Sequence, residues 1–185
     1  MLGLLDPGDT RIHDADCSAL TMKPTDVDVV LFHGGCRDGF TAAYFAWLKL
    51  HDQARYVGIG HGSAEDKAKA AGDLRGKSVA VLDFSFDAET TAKQLATAKS
   101  YAVLDHHKTA KDNLGDLPET SKVFDMRMSG ATLAWNYFHP GEACPLLARY
   151  VEDKDIWRWA YHSSKEFSAV FDLAIGLPPV FPFFP

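Results

Sequence analysis

The chain has 185 residues, of which 46% are hydrophobic and 24% charged, and its formal net charge is -6. These values indicate one globular domain with its own core. The apolar runs fall short of the ~18–20 residues of a membrane helix, and the acidic balance argues against long duplex nucleic acid as a partner. Three cysteines without paired spacing favour a reducing, cytoplasmic location, and no signal peptide is recognised.

Along the chain, residues 1–25 lack a clean period and are expected to form a disordered leader. From residue 26, apolar runs of strand length alternate with helix-like segments. The predicted strands cover 27–32, 55–59, 78–82, 102–104 and, at an edge, 122–124. The predicted helices cover 40–49, 64–74, 88–99, 129–138 and 144–151. Residues 108–119 are predicted to be a loop.

This alternation predicts an α/β fold with a doubly wound, mostly parallel sheet flanked by helices. We expect one catalytic domain over residues 26–175. Residues 176–185 are rich in Pro and Phe, fit neither helix nor strand, and are expected to form an irregular tail.

Metal-binding residue types follow three of the predicted strands. Carboxyl ends of parallel strands meet at one edge of a sheet, and burying such groups without compensation is costly. Mixed oxygen and nitrogen donors suit Mn²⁺, Mg²⁺, Zn²⁺ or Fe²⁺. The residues concerned are His33, Asp38, Asp83, Asp105, His106 and His107. The sequence therefore predicts a metal site, with Asp83 free to bridge two ions.

The segment between the first strand and the following helix is a candidate phosphate-binding loop. Its glycines let the backbone approach an anion, and a helix amino terminus favours phosphate. Arg37 is a candidate phosphate contact because its guanidinium is planar and always charged. Cys36 is open to three interpretations, as a soft ligand, a nucleophile or a small filler.

Several other residues carry alternatives. Ser129 and Gly130 form a helix cap that is either purely structural or also touches substrate phosphate. Asp153 and Asp155 are either a solvated charge run or a source of one more metal ligand, with Asp153 favoured. Trp157 and Trp159 are expected to pack rather than to stack on bases. Four isolated histidines are expected at the surface: His51, His61, His139 and His162. The cluster around His13 has no strand to support it.

Together these residues resemble the DHH family of phosphoesterases, in its oligoribonuclease and cyclic-nucleotide phosphodiesterase-like branch. The triplet at 105–107 matches the motif that names the family, and residues 81–83 look like its second motif. Residues 32–40 look like the first motif, and residues 129–131 and 152–157 resemble later blocks.

The resemblance implies a Rossmann-like catalytic domain that binds two divalent ions, Mn²⁺ first and Mg²⁺ as the alternative. Asp83 would bridge the ions, and His107 and Arg37 would contact the phosphate as catalytic groups. Ser129 and Gly130 would bind substrate. The implied metal ligands are His33, Asp38, Asp83, Asp105, His106 and Asp153. For Asp105 the resemblance leaves two roles open, as a ligand or as the group that orients the first His. Asp155 is the alternative last acid, and Cys36 stands where the family carries an acid.

The resemblance also implies metal-dependent hydrolysis by a two-metal mechanism. The bond would be a phosphodiester, in a short oligonucleotide or cyclic nucleotide-like molecule, or a phosphomonoester, and the enzyme could act as a homodimer. Family members continue into a second domain, DHHA1, which we do not recognise here, so impaired activity is expected. The alternatives are a non-catalytic metal-binding relic and a pyrophosphatase-like hydrolase.

Overall fold

Five parallel strands form one sheet in the computed structural model, which describes residues 15–176 apart from the side chain of Asn113. The strands are β1 (Val29–His33), β2 (Arg55–Ile59), β3 (Ser78–Leu82), β4 (Ser100–Asp105) and β5 (Lys122–Phe124). Their order is β2-β1-β3-β4-β5, and each neighbouring pair is parallel. The predicted doubly wound α/β fold is confirmed.

Seven helices surround this sheet in the described part of the chain. They are α1 (Arg37–Leu50), α2 (Ala64–Ala71), α3 (Ala88–Thr97), α4 (Lys108–Asn113), α5 (Gly130–Phe138), α6 (Leu146–Asp155) and α7 (Ser164–Gly176). Short 3₁₀ turns lie at Pro24–Asp26, His51–Gln53 and Glu119–Ser121. No described helix has the length and apolar character needed to cross a membrane.

The strands are apolar throughout because helices cover both faces of the sheet. Side chains alternate between the faces, as the two-residue period of a strand requires. Val30 and Leu82 point to the side of α1 and α5, where Leu133 joins their cluster. Leu31 and Val81 point to the other side, where the cluster includes residues of α2 and α4.

A third cluster fixes α6 outside α1 and α5. Phe45 of α1 and Trp135 of α5 meet edge to face at 5.0 Å between ring centroids, and Val151 of α6 packs against them. Because α6 ends at Asp155, this packing carries the end of α6 to the carboxyl edge of the sheet.

The strand order reverses between β1 and β3. The chain runs from β1 outward to β2, and then returns to β3 on the other side of β1 before continuing to β4 and β5. In open α/β sheets such a switch point leaves a crevice at the carboxyl ends of the strands, and ligands bind there.

The structure differs from the sequence prediction in several elements. The predicted loop at 108–119 contains α4, the charged run at 152–155 is the last turn of α6, and α7 had no predicted counterpart. Part of the expected leader is ordered, since Met22 is buried in the core and its carbonyl accepts a hydrogen bond from the Tyr137 hydroxyl at 2.7 Å. The remaining leader residues, His13 among them, and residues 177–185 lie outside the described residues.

His139 was predicted at the surface and is instead buried. Its ring stacks on Trp135 with 4.1 Å between centroids, and its Nε2 bonds to the Phe45 carbonyl at 3.0 Å. In the sequence His139 is an isolated polar residue before a Pro-Gly break, which indicates a surface position. In the structure Trp135, one helical turn earlier, stacks on the His139 ring and buries it.

Candidate metal centre

Three strands and two helices deliver acids and imidazoles to the switch point. His33 ends β1 and Asp83 directly follows β3. Asp105 ends β4, and His106 and His107 follow it. Asp38 comes from the first turn of α1 and Asp155 from the last turn of α6. Within this set, two groups of three residues have ligand atoms close enough to hold an ion.

The first group, triad A, consists of His33, Asp83 and His107, with ligand atoms within 4.8 Å of one another. His33 Nδ1 lies 3.4 Å from Asp83 Oδ2. Neither of these buried atoms has a hydrogen-bond partner among the described residues, because that contact lacks hydrogen-bond geometry. Burying polar atoms in this state is unfavourable, and a cation between them would relieve it.

The second group, triad B, consists of Asp38, His106 and Asp155, again with ligand atoms within 4.8 Å of one another. Nε2 of His106 lies 3.5 Å from Asp38 Oδ2 and 3.4 Å from Asp155 Oδ2. It also lies 3.2 Å from Oδ1 of Asp83. One imidazole nitrogen therefore faces three carboxylates.

Asp83 connects the two triads through its two oxygens. Oδ2 faces His33 of triad A and Oδ1 faces His106 of triad B. The residue is buried, and its φ of +62° lies in the left-handed region that non-glycine residues rarely adopt. Backbone strain of this kind concentrates at functional sites. The arrangement is that of a carboxylate able to bridge two ions.

Two glycines permit the close approach of elements around these ligands. A Cβ on Gly130 would lie 2.5 Å from the Asp83 Cβ and 2.6 Å from its Oδ1. A Cβ on Gly39 would lie 2.7 Å from the Cβ of His33. Only glycine lets α5 pack against Asp83 and lets α1 pack against the end of β1.

Asp38 is held by the amino end of α5. Its Oδ2 accepts the amide of Gly130 at 2.6 Å, and its Oδ1 accepts the amide of Ala131 at 2.8 Å. The first amides of a helix have no partners within the helix and favour a negative charge. Each carboxylate oxygen keeps a further lone pair for a metal, so this anchoring fixes the ligand without using it up.

Asp105 supports the neighbouring histidines and belongs to neither triad. Its Oδ1 accepts the amides of His106 and His107 at 2.7 and 3.1 Å, and Nδ1 of His107 at 2.8 Å. Its Oδ2 is buried without a hydrogen-bond partner among the described residues. Of the two expected roles, the structure favours orientation, although the ring that Asp105 orients is that of His107.

Protonation in the centre reflects its density of acids. Burial raises the pKa of Asp38 well above its usual range, and the carboxylates of Asp83 and Asp155 add to the rise. Burial also raises the pKa of Asp155. Burial acts on Asp83 in the same direction, but His106 and His33 outweigh it and hold the pKa of Asp83 below its usual range.

The pKa values of two imidazoles of the centre are raised as well. The Asp83 carboxylate raises the pKa of His33, and the Asp105 carboxylate raises the pKa of His107. Without a metal, these side chains therefore retain protons that free side chains would release. Divalent cations would displace those protons on binding.

Asp155, rather than Asp153, stands beside the other ligands. The carboxylate of Asp153 accepts the amides of Ala160 and Tyr161 at 2.8 and 3.2 Å, and thereby holds the loop that follows α6. Asp153 is buried in that role. We predicted Asp153 as the last metal ligand, with Asp155 as the alternative. The geometry favours Asp155 as the candidate.

Ser129 and Gly130 lie inside the protein rather than at a substrate surface. Ser129 is fully buried and caps α5 by accepting the amide of Thr132 at 3.3 Å, and its own amide donates to Glu152 at 3.2 Å. Gly130 supports Asp38, as described above. The structure thus favours the first alternative for this cap, a purely structural role, over the predicted contact with substrate phosphate.

Arg37 and Cys36 flank the centre on the side of α7. Nε of Arg37 lies 2.6 Å from Oδ1 of Asp172, whose other oxygen contacts Lys154 at 2.8 Å. Burial raises the pKa of the Cys36 thiol, and the Asp83 charge adds to it. Cys36 precedes α1 and belongs to neither triad.

Two cavities open on the centre. One of about 410 Å³ is bordered by His33 and His107 on the side of α2. The other, of about 880 Å³, is bordered by Arg37 and Asp155 on the side of α7. The centre therefore separates two spaces into which the two parts of a ligand could extend.

The loop after α6 exposes a side chain that was expected to be packed. Trp157 is 73% exposed and has a φ of +62°. The strain follows from the hydrogen bonds that draw the loop back to Asp153. Its ring meets that of Trp159 edge to face at 5.4 Å, so the packing prediction is wrong for Trp157.

Fold and site define a parallel α/β protein with clustered metal-type ligands at its switch point. Over 155 aligned residues the chain is 32% identical to "Uncharacterized protein R106" of Acanthamoeba polyphaga mimivirus. That match covers 78% of this chain and 37% of the viral protein, so the chain spans well under half of its relative. No family model and no solved structure matches the chain. The relative's name states no activity.

Proposed function

We propose that this protein is a metal-dependent phosphoesterase of the DHH type, which hydrolyses phosphodiester bonds in short oligonucleotides or cyclic-nucleotide-like molecules, or phosphomonoester bonds. The observation that carries the proposal is the pair of triads joined through the two oxygens of Asp83. Paired ion sites that share a carboxylate are the arrangement used for in-line displacement at phosphorus.

The donors fit two divalent ions. Triad A offers His33, Asp83 and His107, and triad B offers Asp38, His106 and Asp155. Two buried donor atoms of triad A, Nδ1 of His33 and Oδ2 of Asp83, have no hydrogen-bond partner among the described residues. Mixed oxygen and nitrogen donors suit Mn²⁺, with Mg²⁺ as the alternative. When bound, such ions supply Lewis-acid activation of the phosphoryl group and of the attacking water.

His107 is the group best placed to handle a proton. Its Nδ1 must carry hydrogen, since the Asp105 oxygen 2.8 Å away can only accept. The same contact raises the pKa of His107, and 44% of the side chain is exposed. The imidazolium form would present an Nε2 proton to a phosphoryl oxygen or to the leaving oxygen, as a general acid does. In that role Nε2 would not bind the ion, which His33 and Asp83 of triad A would then hold.

Arg37 would contact the phosphate from the opposite side. Its Nε is engaged by Asp172, but a guanidinium has five N–H donors. It borders the larger cavity together with Asp155. The ion pair with Asp172 would hold the guanidinium in place, so that less side-chain entropy is lost when a phosphate binds.

The cysteines support a cytoplasmic setting for this activity. Cys17, Cys36 and Cys144 are all free thiols, which suits the reducing cytoplasm. A phosphate-ester small molecule or a short oligonucleotide would be the substrate there, with a homodimer as one form of the enzyme.

A Mn²⁺ titration of the full chain tests the proposal, with hydrolysis of a generic phosphodiester, the dinucleotide pApA and pyrophosphate as readouts. We expect Mn²⁺-dependent cleavage that Asp83→Asn reduces more than about 100-fold, which exceeds the usual effect of residues that only support a ligand. Metal affinity, measured by calorimetry, should fall in the same variant. Asp112→Asn changes an exposed acid of α4 and should leave both unchanged.

Other outcomes separate the alternatives. Tight metal binding without cleavage of any substrate would favour a non-catalytic metal-binding protein. Preferential cleavage of pyrophosphate would favour a pyrophosphatase-like enzyme. Normal turnover by the Asp83→Asn variant would exclude the bridging role.

A further inference from the structure

The cavity beside triad A has a lining suited to an anion. It measures about 410 Å³ and lies between the ends of β1 and β4 and the start of α2. We propose that it binds a second phosphate group of the substrate, adjacent to the one that is cleaved. This inference rests on the proposed phosphoesterase function and adds a specificity site to it.

The position of this cavity follows from the residues that it shares with the metal centre. His33 and His107 of triad A border it, and Asp105, which orients His107, borders it as well. An anion bound there would be a close neighbour of a phosphate held at the triads. A ligand that fills both places must therefore carry two anionic groups a short distance apart.

Lys67 supplies the fixed positive charge. It lies on α2, borders the cavity and has no ion-pair partner among the described residues. It borders the same cavity as His33 and His107 of triad A. An ammonium with free donors beside a metal site attracts phosphate as a point charge.

His61 and two hydroxyl groups complete the donor set. The His61 ring meets the His33 ring edge to face, with 5.2 Å between centroids. Ser85 lies after β3 and Thr109 in the first turn of α4, and both border the cavity. Hydroxyl and imidazole N–H groups donate to phosphate oxygens, so the donors reach the cavity from several elements. His61 is exposed, as predicted, and it also borders this cavity.

Two carboxylates also border the cavity, and both accept hydrogen bonds, although Oδ2 of Asp105 has no partner among the described residues. Asp87 caps α3, where it accepts the amide and hydroxyl of Thr90 at 2.9 and 2.7 Å. Asp105 accepts three hydrogen bonds through one oxygen. Hydrogen bonds of this kind offset much of the repulsion that a free carboxylate would exert on an anion.

The test compares three dinucleotides that differ only in the second phosphate: ApA, 5′-phosphorylated pApA and 3′-phosphorylated ApAp. We expect one of the phosphorylated forms to have a kcat/KM ~10- to 100-fold above that of ApA, the effect of one charge-assisted contact. The Lys67→Met variant should abolish that preference and leave cleavage of ApA unchanged. Which end carries the favoured phosphate identifies its source.

Lys69→Met is the matched control, because Lys69 lies on the same helix, is exposed and does not border the cavity. It should keep the wild-type preference. His61→Asn should reduce the preference partially. Equal kcat/KM values for all three dinucleotides, or a preference that survives Lys67→Met, would overturn the second-phosphate site.

A binding measurement separates this inference from the proposed catalysis. Calorimetry with methylphosphonate-linked analogues of the same dinucleotides reports affinity without requiring turnover. A terminal phosphate that tightens binding in wild type and Lys69→Met, but not in Lys67→Met, supports the site even where no substrate is cleaved. Cleavage combined with affinities that ignore the terminal phosphate would leave the phosphoesterase function standing and exclude the site.

Discussion

The position of Asp83 between the two triads is energetically unfavourable unless its surroundings stabilise it. A left-handed φ at a non-glycine residue costs ~1–3 kcal/mol, and Asp83 adopts one while its carboxylate is buried. The imidazoles of His33 and His106 stabilise the charge from two sides. A residue with only a structural role would not need to combine strain, burial and charge. The proposed role in holding ions would account for all three.

The two acids at the end of α6 make a residue-scale prediction, because their carboxylates do different work. Asp155→Asn removes a ligand of triad B, so Mn²⁺ affinity should fall at least ~10-fold with little change in melting temperature. Asp153→Asn weakens the support of two partly buried backbone amides, so the free energy of unfolding should fall by about 1–3 kcal/mol. Calorimetry and thermal unfolding of the metal-free proteins measure the two effects.

Each variant serves as the control for the other, since both remove one negative charge from the same helix turn. A loss of metal affinity in Asp153→Asn with full affinity in Asp155→Asn would reverse the assignment of the last ligand.

At the scale of elements, the contact between α5 and the end of β3 determines the geometry of the centre. Gly130→Ala would place a Cβ 2.5 Å from the Cβ of Asp83, a distance at which one of the two must move. We expect a stability loss of ~1–3 kcal/mol from overpacking, together with weaker Mn²⁺ binding. The higher helix propensity of alanine offsets only ~1 kcal/mol of it.

The matched control is Gly115→Ala, whose added Cβ would meet its nearest atoms at 3.6 and 3.7 Å, an ordinary contact. Thermal unfolding and metal calorimetry on both variants compare a crowded glycine with an open one. Wild-type metal affinity in Gly130→Ala would show that α5 does not hold Asp83 in place.

The sequence predicted elements well where periodicity and burial agree. β2 and β3 have the predicted bounds, because apolar runs of strand length between turn residues admit few alternatives. It missed α7, whose outward side exposes Val170 and Leu173 and so blurs the amphipathic pattern. It ended α6 too early, because the charged run at 152–155 resembles a solvated loop until the contacts of Asp153 and Asp155 are known.

For the whole molecule, the rule that the carboxyl ends of parallel strands meet at one edge predicted that the candidate ligands after β1, β3 and β4 lie close together. The structure brings them together.

The same rule does not apply to residues at the ends of helices. Asp153 and Asp155 are two positions apart, so at ~100° per residue they point in nearly opposite directions. Only the rotation of α6 in the folded protein decides between them. His61, just beyond β2, would have been found by applying the rule to every strand.

The clustered charges also predict how the whole molecule responds to pH. In the metal-free protein the pKa values of His33 and His107 are raised above 6.5, and those of Asp38 and Asp155 above 3.8. Between the unfolded-state pKa and the raised native-state pKa of each group, the native protein therefore binds more protons than the unfolded chain. In that pH interval the free energy of unfolding falls as pH rises. The stabilisation from the two histidines is fully present below pH 6.5 and is lost as pH rises through their raised pKa values.

Bound metal should reverse this trend, because its ligands must be deprotonated. We expect the metal-free melting temperature to fall from about pH 5 to about pH 8, and the increment from Mn²⁺ to grow over the same range. At ~100 times Kd the ion adds ~2.7 kcal/mol, which is about 5–10 °C for a chain of this size. Calorimetric melts with and without Mn²⁺ measure how the metal-free melting temperature and the Mn²⁺ increment change with pH. In Asp83→Asn the Mn²⁺ increment should change less with pH. An increment that stays constant with pH would mean that the bound ion does not displace protons from these side chains, and the two triads would then not be its site.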